Sequence, residues 1–284
     1  MSQPTGVKPP PLNLGDLRLR VISAVIMAVA AGIAAWLGCG LFLLCWVFLG
    51  SMVALEWQQI VASQSQIYRT TVSILVIVLC AMLSSHGSGV EALQLAAVGA
   101  LLVASLAETK RRIWAGIGVL YAAGMVIAVC ALRFTDSPYG MLAIFWLFAV
   151  VWGTDVMAYF GGRLIGGPKL WPRISPSKTW SGTLVGIASG ALLGLFLCWL
   201  AGKAGAPGFV LGLGLILAIG AQMGDLFESA IKRRFGVKDS SPLIPGHGGF
   251  MDRLDGFIFA SILALMIGAM RYDIRLAAAG LFQW

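Results

Sequence analysis

Apolar residues in this chain come in long runs, and polar residues are confined mostly to the gaps between them. Nine such runs stand out, at about 21–38, 40–56, 70–86, 90–107, 113–132, 139–158, 182–202, 207–224 and 254–270. A hydrocarbon core about 30 Å thick is crossed by about 20 mainly apolar residues in helical form. Within the runs the apolar positions follow a helical period or surround the segment completely, without the two-residue alternation of a membrane barrel. Backbone groups in lipid must find partners within their own segment. The pattern therefore predicts an all-α fold, a polytopic integral membrane helical bundle of about nine transmembrane helices. The gaps near Gly38 and Gly89 are short enough for one interrupted helix to read as two.

Composition agrees: 59% of the residues are hydrophobic and 11% charged, against about 45–50% and about 25% in soluble domains. The net charge of +8 would raise nucleic acid as a partner of a soluble protein. Here its distribution follows membrane topology, and no nucleic-acid partner is expected. With gaps assigned alternately from a cytoplasmic N-terminus, 16 of the 20 basic residues fall inside, leaving Arg133, Lys203, Arg271 and Arg275 outside. The positive-inside rule thus predicts a cytoplasmic N-terminus and cytoplasmic loops at 159–181 and 225–253. Residues 1–20, rich in proline, read as a leader; 21–138 form an N-terminal set of membrane helices; 139–284 carry the polar loops and any chemistry. Cys39, Cys45, Cys80, Cys130 and Cys198 lie in or at the ends of apolar runs without CxxC spacing, as small buried hydrophobes do.

Ten of the 32 charged residues are gathered between positions 225 and 255. Five are acidic (Asp225, Glu228, Asp239, Asp252, Asp255) and five basic (Lys232, Arg233, Arg234, Lys238, Arg253), so the segment is neutral. Balanced carboxylates and cations suit a site that holds metal ions and phosphates together, with hard oxygens for the metal and Lys or Arg for anionic oxygens. On a helix, Asp225, Ser229 and Lys232 share a face, with Arg233 beside them, and Asp252 and Asp255 stand at i, i+3 where the last long run begins. An interfacial ion pair with Arg253 or Arg233 is the structural alternative for these carboxylates. Between them PGHGG, 245–249, lets backbone approach a phosphate, with N–H groups available for an anion nest. His247 suits phosphate binding, proton donation or bracing of that turn, whereas His86 is expected on the far side. A second insertion, GTDVMAYFGGRLIGGPKLWPRISPSKTWSGTLVG at 153–186, holds the lone acid Asp155 and four basic residues. Its SPSKTW predicts a serine cap opening a new helix.

Ser229, Lys232-Arg233, Lys238-Asp239, Ile244-Pro245, His247-Gly248-Gly249 and Asp252-Arg253-Leu254-Asp255 together resemble the signature of the phosphatidate cytidylyltransferases. SPSKTW and Asp155 with AYFGGR also resemble that family, so the likeness runs by motif over roughly 150–256. One departure is Ser181 before Gly182, where the family usually has Glu-Gly, and no ligand role is assigned at 181. The resemblance implies transfer of a cytidylyl group from CTP to phosphatidate, a metal centre at Asp225, Asp252 and Asp255 near Ser229, and phosphate contacts from Lys178, Lys232, Arg233, Lys238 and Arg253. Catalytic roles fall to Asp252, Asp255, Asp225 and Lys232. Asp239, His247, Gly248 and Gly249 join the substrate-binding set. Magnesium is the implied cofactor, with room for a second, monovalent cation; a homodimer in a bacterial inner membrane, its site facing the cytoplasm, is the implied setting.

Three rivals remain. Asp252, Asp255 and Gly256 spell the D-x-x-D-G start of the CDP-alcohol phosphatidyltransferase motif, but Phe259-Ala260 stand where that motif has Ala-Arg. A CTP-dependent transferase acting on another membrane lipid shares the motif block, because apolar acceptor tails leave no signature. A transporter predicts charges on both sides of the midplane and symmetry between halves, and this chain gathers its ionisable residues at one face.

Overall fold

The computed structural model describes residues 14–61, 66–203, 206–244 and 248–283, with side chains from residue 25 onward apart from that of Cys39. His247 and the leader through residue 13 lie outside the described residues. Ten α-helices follow in order: α1 Leu14–Leu37, α2 Cys39–Val61, α3 Ile67–Ser85, α4 Gly89–Ser105, α5 Arg112–Arg133, α6 Gly140–Ile165, α7 Trp180–Leu200, α8 Pro207–Arg234, α9 Met251–Arg271 and the short α10 Ala277–Phe282. Each expected apolar run lies on one of the first nine. Seven of these helices, α2, α3, α5, α6, α7, α8 and α9, are long and apolar enough to cross a membrane, while α4 and residues 25–37 of α1 are shorter apolar helices. The chain is a polytopic all-α membrane protein.

The two doubtful gaps are true breaks. Gly38 has φ 62° and Gly87 has φ 80°, values in the left-handed region that a residue with a Cβ rarely adopts. Among the spanning helices α5 is the most buried, and its Val119, Ala122, Met125, Val126 and Val129 are fully enclosed. Outward-facing positions stay apolar, including Leu101, Ile113, Leu184 and Phe196, as lipid contact requires.

Two expectations are corrected where the chain leaves the bilayer. The apolar run ending at 158 does not end its helix, since α6 continues to Ile165, whereas α8 runs on past 224 to Arg234 as the helical reading of Asp225, Ser229 and Lys232 expects. Hydropathy marks where lipid contact stops, whereas AYFGGRLI and DLFESAIKRR contain no proline to stop the hydrogen-bond ladder. The second correction concerns SPSKTW. Ser175–Thr179 is a strand, β2, paired antiparallel with β1, Lys169–Trp171, so that Trp171 faces Ser175 and Lys169 faces Thr179. Pro176 disfavours helical backbone at Ser175, and the cap of α7 is Thr179, whose Oγ1 accepts from Gly182 N at 3.1 Å. The Ser181 hydroxyl donates to the Gly166 carbonyl, tying the base of this hairpin to the end of α6.

α6 and α7 are joined by a ridge of glycines spaced by four on α7: Gly182, Gly186, Gly190 and Gly194. A Cβ at Gly186 would stand 2.6 Å from Thr154 O, and one at Gly190 2.1 Å from Thr154 Oγ1 and 2.6 Å from Val150 O. Membrane helices lack a hydrophobic drive toward one another, so close backbone approach through small residues supplies the packing. Gly190→Ala should destabilise the protein by about 1–3 kcal/mol, since a methyl group has no room there. Gly212→Ala, in open space on α8, should leave the thermal unfolding midpoint in detergent unchanged or slightly raised; equal midpoints for both variants would refute the ridge.

Candidate active site

α8 and α9 come into backbone contact where Gly224 meets α9. A Cβ on Gly224 would lie 2.4 Å from Asp255 O, and one on Gly256 3.1 Å from Ala221 O. This contact brings Asp225 and Asp255, neighbours of the two glycines, to one place in the bundle. Asp225 Oδ1 accepts from Ser229 Oγ at 3.4 Å, as the shared helix face predicts. Its Oδ2 pairs with Lys178 Nζ at 2.6 Å. Lys178 comes from the end of β2 and also donates to Gln222 Oε1 at 3.0 Å, so the hairpin is pinned to α8 by its own lysine. Asp255 Oδ1 accepts from Gly256 N, and Asp225, Glu228 and Asp155 all lie within electrostatic range of it. Asp155, on α6, is in turn within range of Lys178 and Arg253. Below this group Tyr121, Phe227 and Phe259 pack ring against ring, with centroids 5.3–6.3 Å apart.

Lys232 does not join Ser229 and Asp225. Its ammonium lies 2.8 Å from Glu228 Oε2 and 2.5 Å from Asp252 Oδ1. The other oxygen of Asp252 accepts from Ser240 N at 3.0 Å, Ser240 Oγ at 2.9 Å and Gly249 N at 2.8 Å. Both oxygens of Asp252 are thus engaged by the protein itself. A second carboxylate holds the same loop from the opposite side. Glu56, on α2, is fully buried and accepts four hydrogen bonds: from Ser241 Oγ at 2.6 Å and Phe250 N at 2.9 Å on Oε1, and from Ser240 Oγ at 2.9 Å and Met251 N at 2.7 Å on Oε2.

These two carboxylates explain the glycines between them. Gly248 has φ 79°, and a Cβ there would sit 2.5 Å from Asp252 Oδ2. At Gly249 a Cβ would stand 2.0 Å from Ser240 Oγ and 2.4 Å from Glu56 Oε1. The amide of Gly249, read in the sequence as part of a phosphate nest, donates to a carboxylate of the chain. Arg233, Lys238, Asp239 and Arg253 are exposed. Asp225, Asp252 and Asp255 do not converge as a metal-holding trio: among the described residues no group of three His, Cys, Asp or Glu side chains does so. The physical reason is the pull of Lys232 and the loop amides on Asp252.

Glu56, Glu228, Gln222 and the placement of Asp155 escape a reading of motifs. For Glu56 one signal was present, an acid with two glutamines, EWQQ, at the end of an otherwise apolar run. Its partners, however, are up to 195 residues away, and nothing local points to them.

Comparison with known proteins gives the family. The model of the cytidylyltransferase family matches residues 18–270. A phosphatidate cytidylyltransferase of Brucella abortus biovar 1 (strain 9-941) is 36% identical over 259 residues, covering 90% of this chain and 95% of that protein. One from Helicobacter pylori (strain J99 / ATCC 700824) is 30% identical over 254 residues, covering 86% and 88%. A phosphatidate cytidylyltransferase of Bacillus subtilis (strain 168) is 40% identical over 147 residues, half of this chain and 55% of its own. The chain belongs to the cytidylyltransferase family.

The two lysines should differ sharply in what they contribute to stability. Lys232→Met leaves Glu228 and Asp252 facing each other without their shared cation, and breaking such a buried pair costs about 3–5 kcal/mol. Lys178→Met removes a pair whose carboxylate, 31% exposed, keeps access to water, together with a hydrogen bond to Gln222, and should cost less, about 1–2 kcal/mol. Thermal unfolding of both variants in the same detergent measures the difference, and equal losses would contradict this ordering.

Proposed function

We propose that this member of the cytidylyltransferase family transfers the cytidylyl group of CTP to phosphatidate, forming CDP-diacylglycerol and releasing pyrophosphate at the cytoplasmic surface of a membrane. The observation that carries this reading is the meeting of Asp225 and Asp255, with Lys178 on Asp225, at the place where α8 and α9 touch. The relatives named phosphatidate cytidylyltransferase support the choice of nucleotide and acceptor. The bias of basic residues toward the same side supports the cytoplasmic orientation.

In the proposed reaction an oxygen of the lipid phosphate attacks the α-phosphorus of CTP. The new P–O bond forms as the bond from the α-phosphorus to the bridging oxygen breaks, and that oxygen leaves with pyrophosphate. Both reactants are anionic, so repulsion is the first barrier. Lys178 and Arg253 would offset it, with the exposed Arg233 and Lys238 at the entrance. A phosphate monoester has a second pKa of about 6 and arrives largely ionised, so no strong base is needed to prepare the attacking oxygen.

The donors present fit a divalent cation such as magnesium. Such ions commonly take one or two carboxylates and complete their shell with substrate phosphates and water. Asp225 and Asp255 would hold it, with Asp155 close by and the ion taking the place of Lys178 on Asp225, whereas Asp252, with four protein donors on its two oxygens, serves in this reading to brace the loop. Bound there, the ion would neutralise phosphate charge and stabilise the leaving pyrophosphate.

Purified protein in detergent should form CDP-diacylglycerol from CTP and phosphatidate with a divalent cation and lose that activity when a chelator is added. Asp255→Asn should lower turnover by about 100-fold or more while leaving a folded protein. Product formation undiminished by chelation or by this substitution would remove the metal assignment, and a panel of other lipid acceptors tests the choice of phosphatidate.

A further inference from the structure

The N-terminus of α9 carries Asp252, Arg253 and Asp255, so its direction decides where Asp255 stands. A helix start presents N–H groups without intrahelical partners. At α9 the residue before the helix, Phe250, supplies no side-chain cap. Its backbone amide and that of Met251 both donate to Glu56, which sits on α2, 194 and 195 residues earlier. Glu56 is completely enclosed; two amides and the Ser241 hydroxyl fill three of its acceptor directions, and the Ser240 hydroxyl, shared with Asp252, faces the fourth.

The Ser240 hydroxyl lies 2.9 Å from both Glu56 Oε2 and Asp252 Oδ2. One hydrogen serves one carboxylate at a time, so this hydroxyl joins the two. A continuous polar path then runs from Glu56 through Ser240, Asp252 and Lys232 to Glu228. It ties α2, the loop after α8, α9 and α8 into one rigid unit around the site.

We infer that Glu56, from the otherwise apolar first part of the chain, is a positioning residue for the cytidylyl transfer. It sets the angle at which α9 enters the bundle, and through that angle the placing of Asp255 and Arg253 against Asp225 and Lys178. This inference rests on the activity proposed above.

Glu56→Gln is the informative change because it keeps shape and volume. Whichever way the carboxamide turns, its NH2 faces either the Phe250 or the Met251 amide. A serine hydroxyl can rotate to accept from it, and a backbone N–H cannot. One amide at the start of α9 therefore loses its acceptor. Ser241→Ala instead removes one of the four hydrogen bonds and leaves both amides satisfied.

For Glu56→Gln, kcat per folded molecule should fall by about 10- to 100-fold, the size of effect that a displacement of about 1 Å produces. KM for CTP should stay within about 2-fold. Ser241→Ala should stay within about 3-fold of the wild type in kcat. Hydrogen exchange should show lost protection at Phe250 or at Met251, whichever amide the carboxamide NH2 faces, with the interior of α2 around Val53 unchanged. Wild-type kcat in Glu56→Gln would overturn the inference, as would lost activity accompanied by raised exchange throughout α2, which marks a merely structural role. Should the wild-type protein make no CDP-diacylglycerol, the proposed activity fails, while the exchange measurement still decides whether Glu56 holds α9.

Discussion

The start of α9 is held by two carboxylates, its own Asp252 and Glu56 from α2, far away in the chain. A helix N-terminus carries a partial positive charge of about half a unit and several unsatisfied N–H groups. Near a bilayer, where water is scarce, leaving them unpaired is costly. Glu56 takes the amides of Phe250 and Met251, while Asp252 takes those of Gly249 and Ser240. Three carboxylates and one lysine in this buried network leave an excess of negative charge, and the four amides together with the helix dipole offset it. Among the described residues between α8 and α9 the loop is fixed by this arrangement without regular secondary structure, one isolated bridge between Ile244 and Gly248 excepted.

Glycine acts at a second level, by letting backbones touch. On α7 it produces a ridge that seats α6, and at Gly224 it lets α8 reach the backbone of Asp255. The first contact brings Asp155 and the hairpin with Lys178 toward α8; the second places Asp225 beside Asp255. The chemistry of the site thus depends on residues with no chemistry of their own. It also depends on α8 and α6 extending beyond their apolar runs, because the proposed substrates occupy different phases and polar groups must continue from lipid depth into water.

The helices were legible because hydropathy and helical period are properties of neighbouring residues. So was the pairing of Asp225 with Ser229, one turn apart. The reading of Gly248 and Gly249 recognised that something anionic approaches their backbone and took it for a phosphate; in the fold, the carboxylates of Asp252 and Glu56 are there. Lys232 was placed with Ser229 by helical period alone, although a long side chain turns toward whichever anions surround it, here Glu228 and Asp252. The strand at Ser175–Thr179 followed from Pro176, a local signal outweighed in the reading by the apparent serine cap.

By itself the sequence determined a helical membrane protein, the positions of its helices, the side on which its charges gather and the segment that carries its family signature. All of these depend on composition and spacing along the chain. Only the tertiary structure decided which carboxylate faces a cation and which closes a loop. Those outcomes depend on distances between helices far apart in sequence, and over such distances electrostatic partners are chosen by packing. Glu56 is the clearest case: an acid at the end of an apolar run, whose purpose appears only when α2 lies against the start of α9.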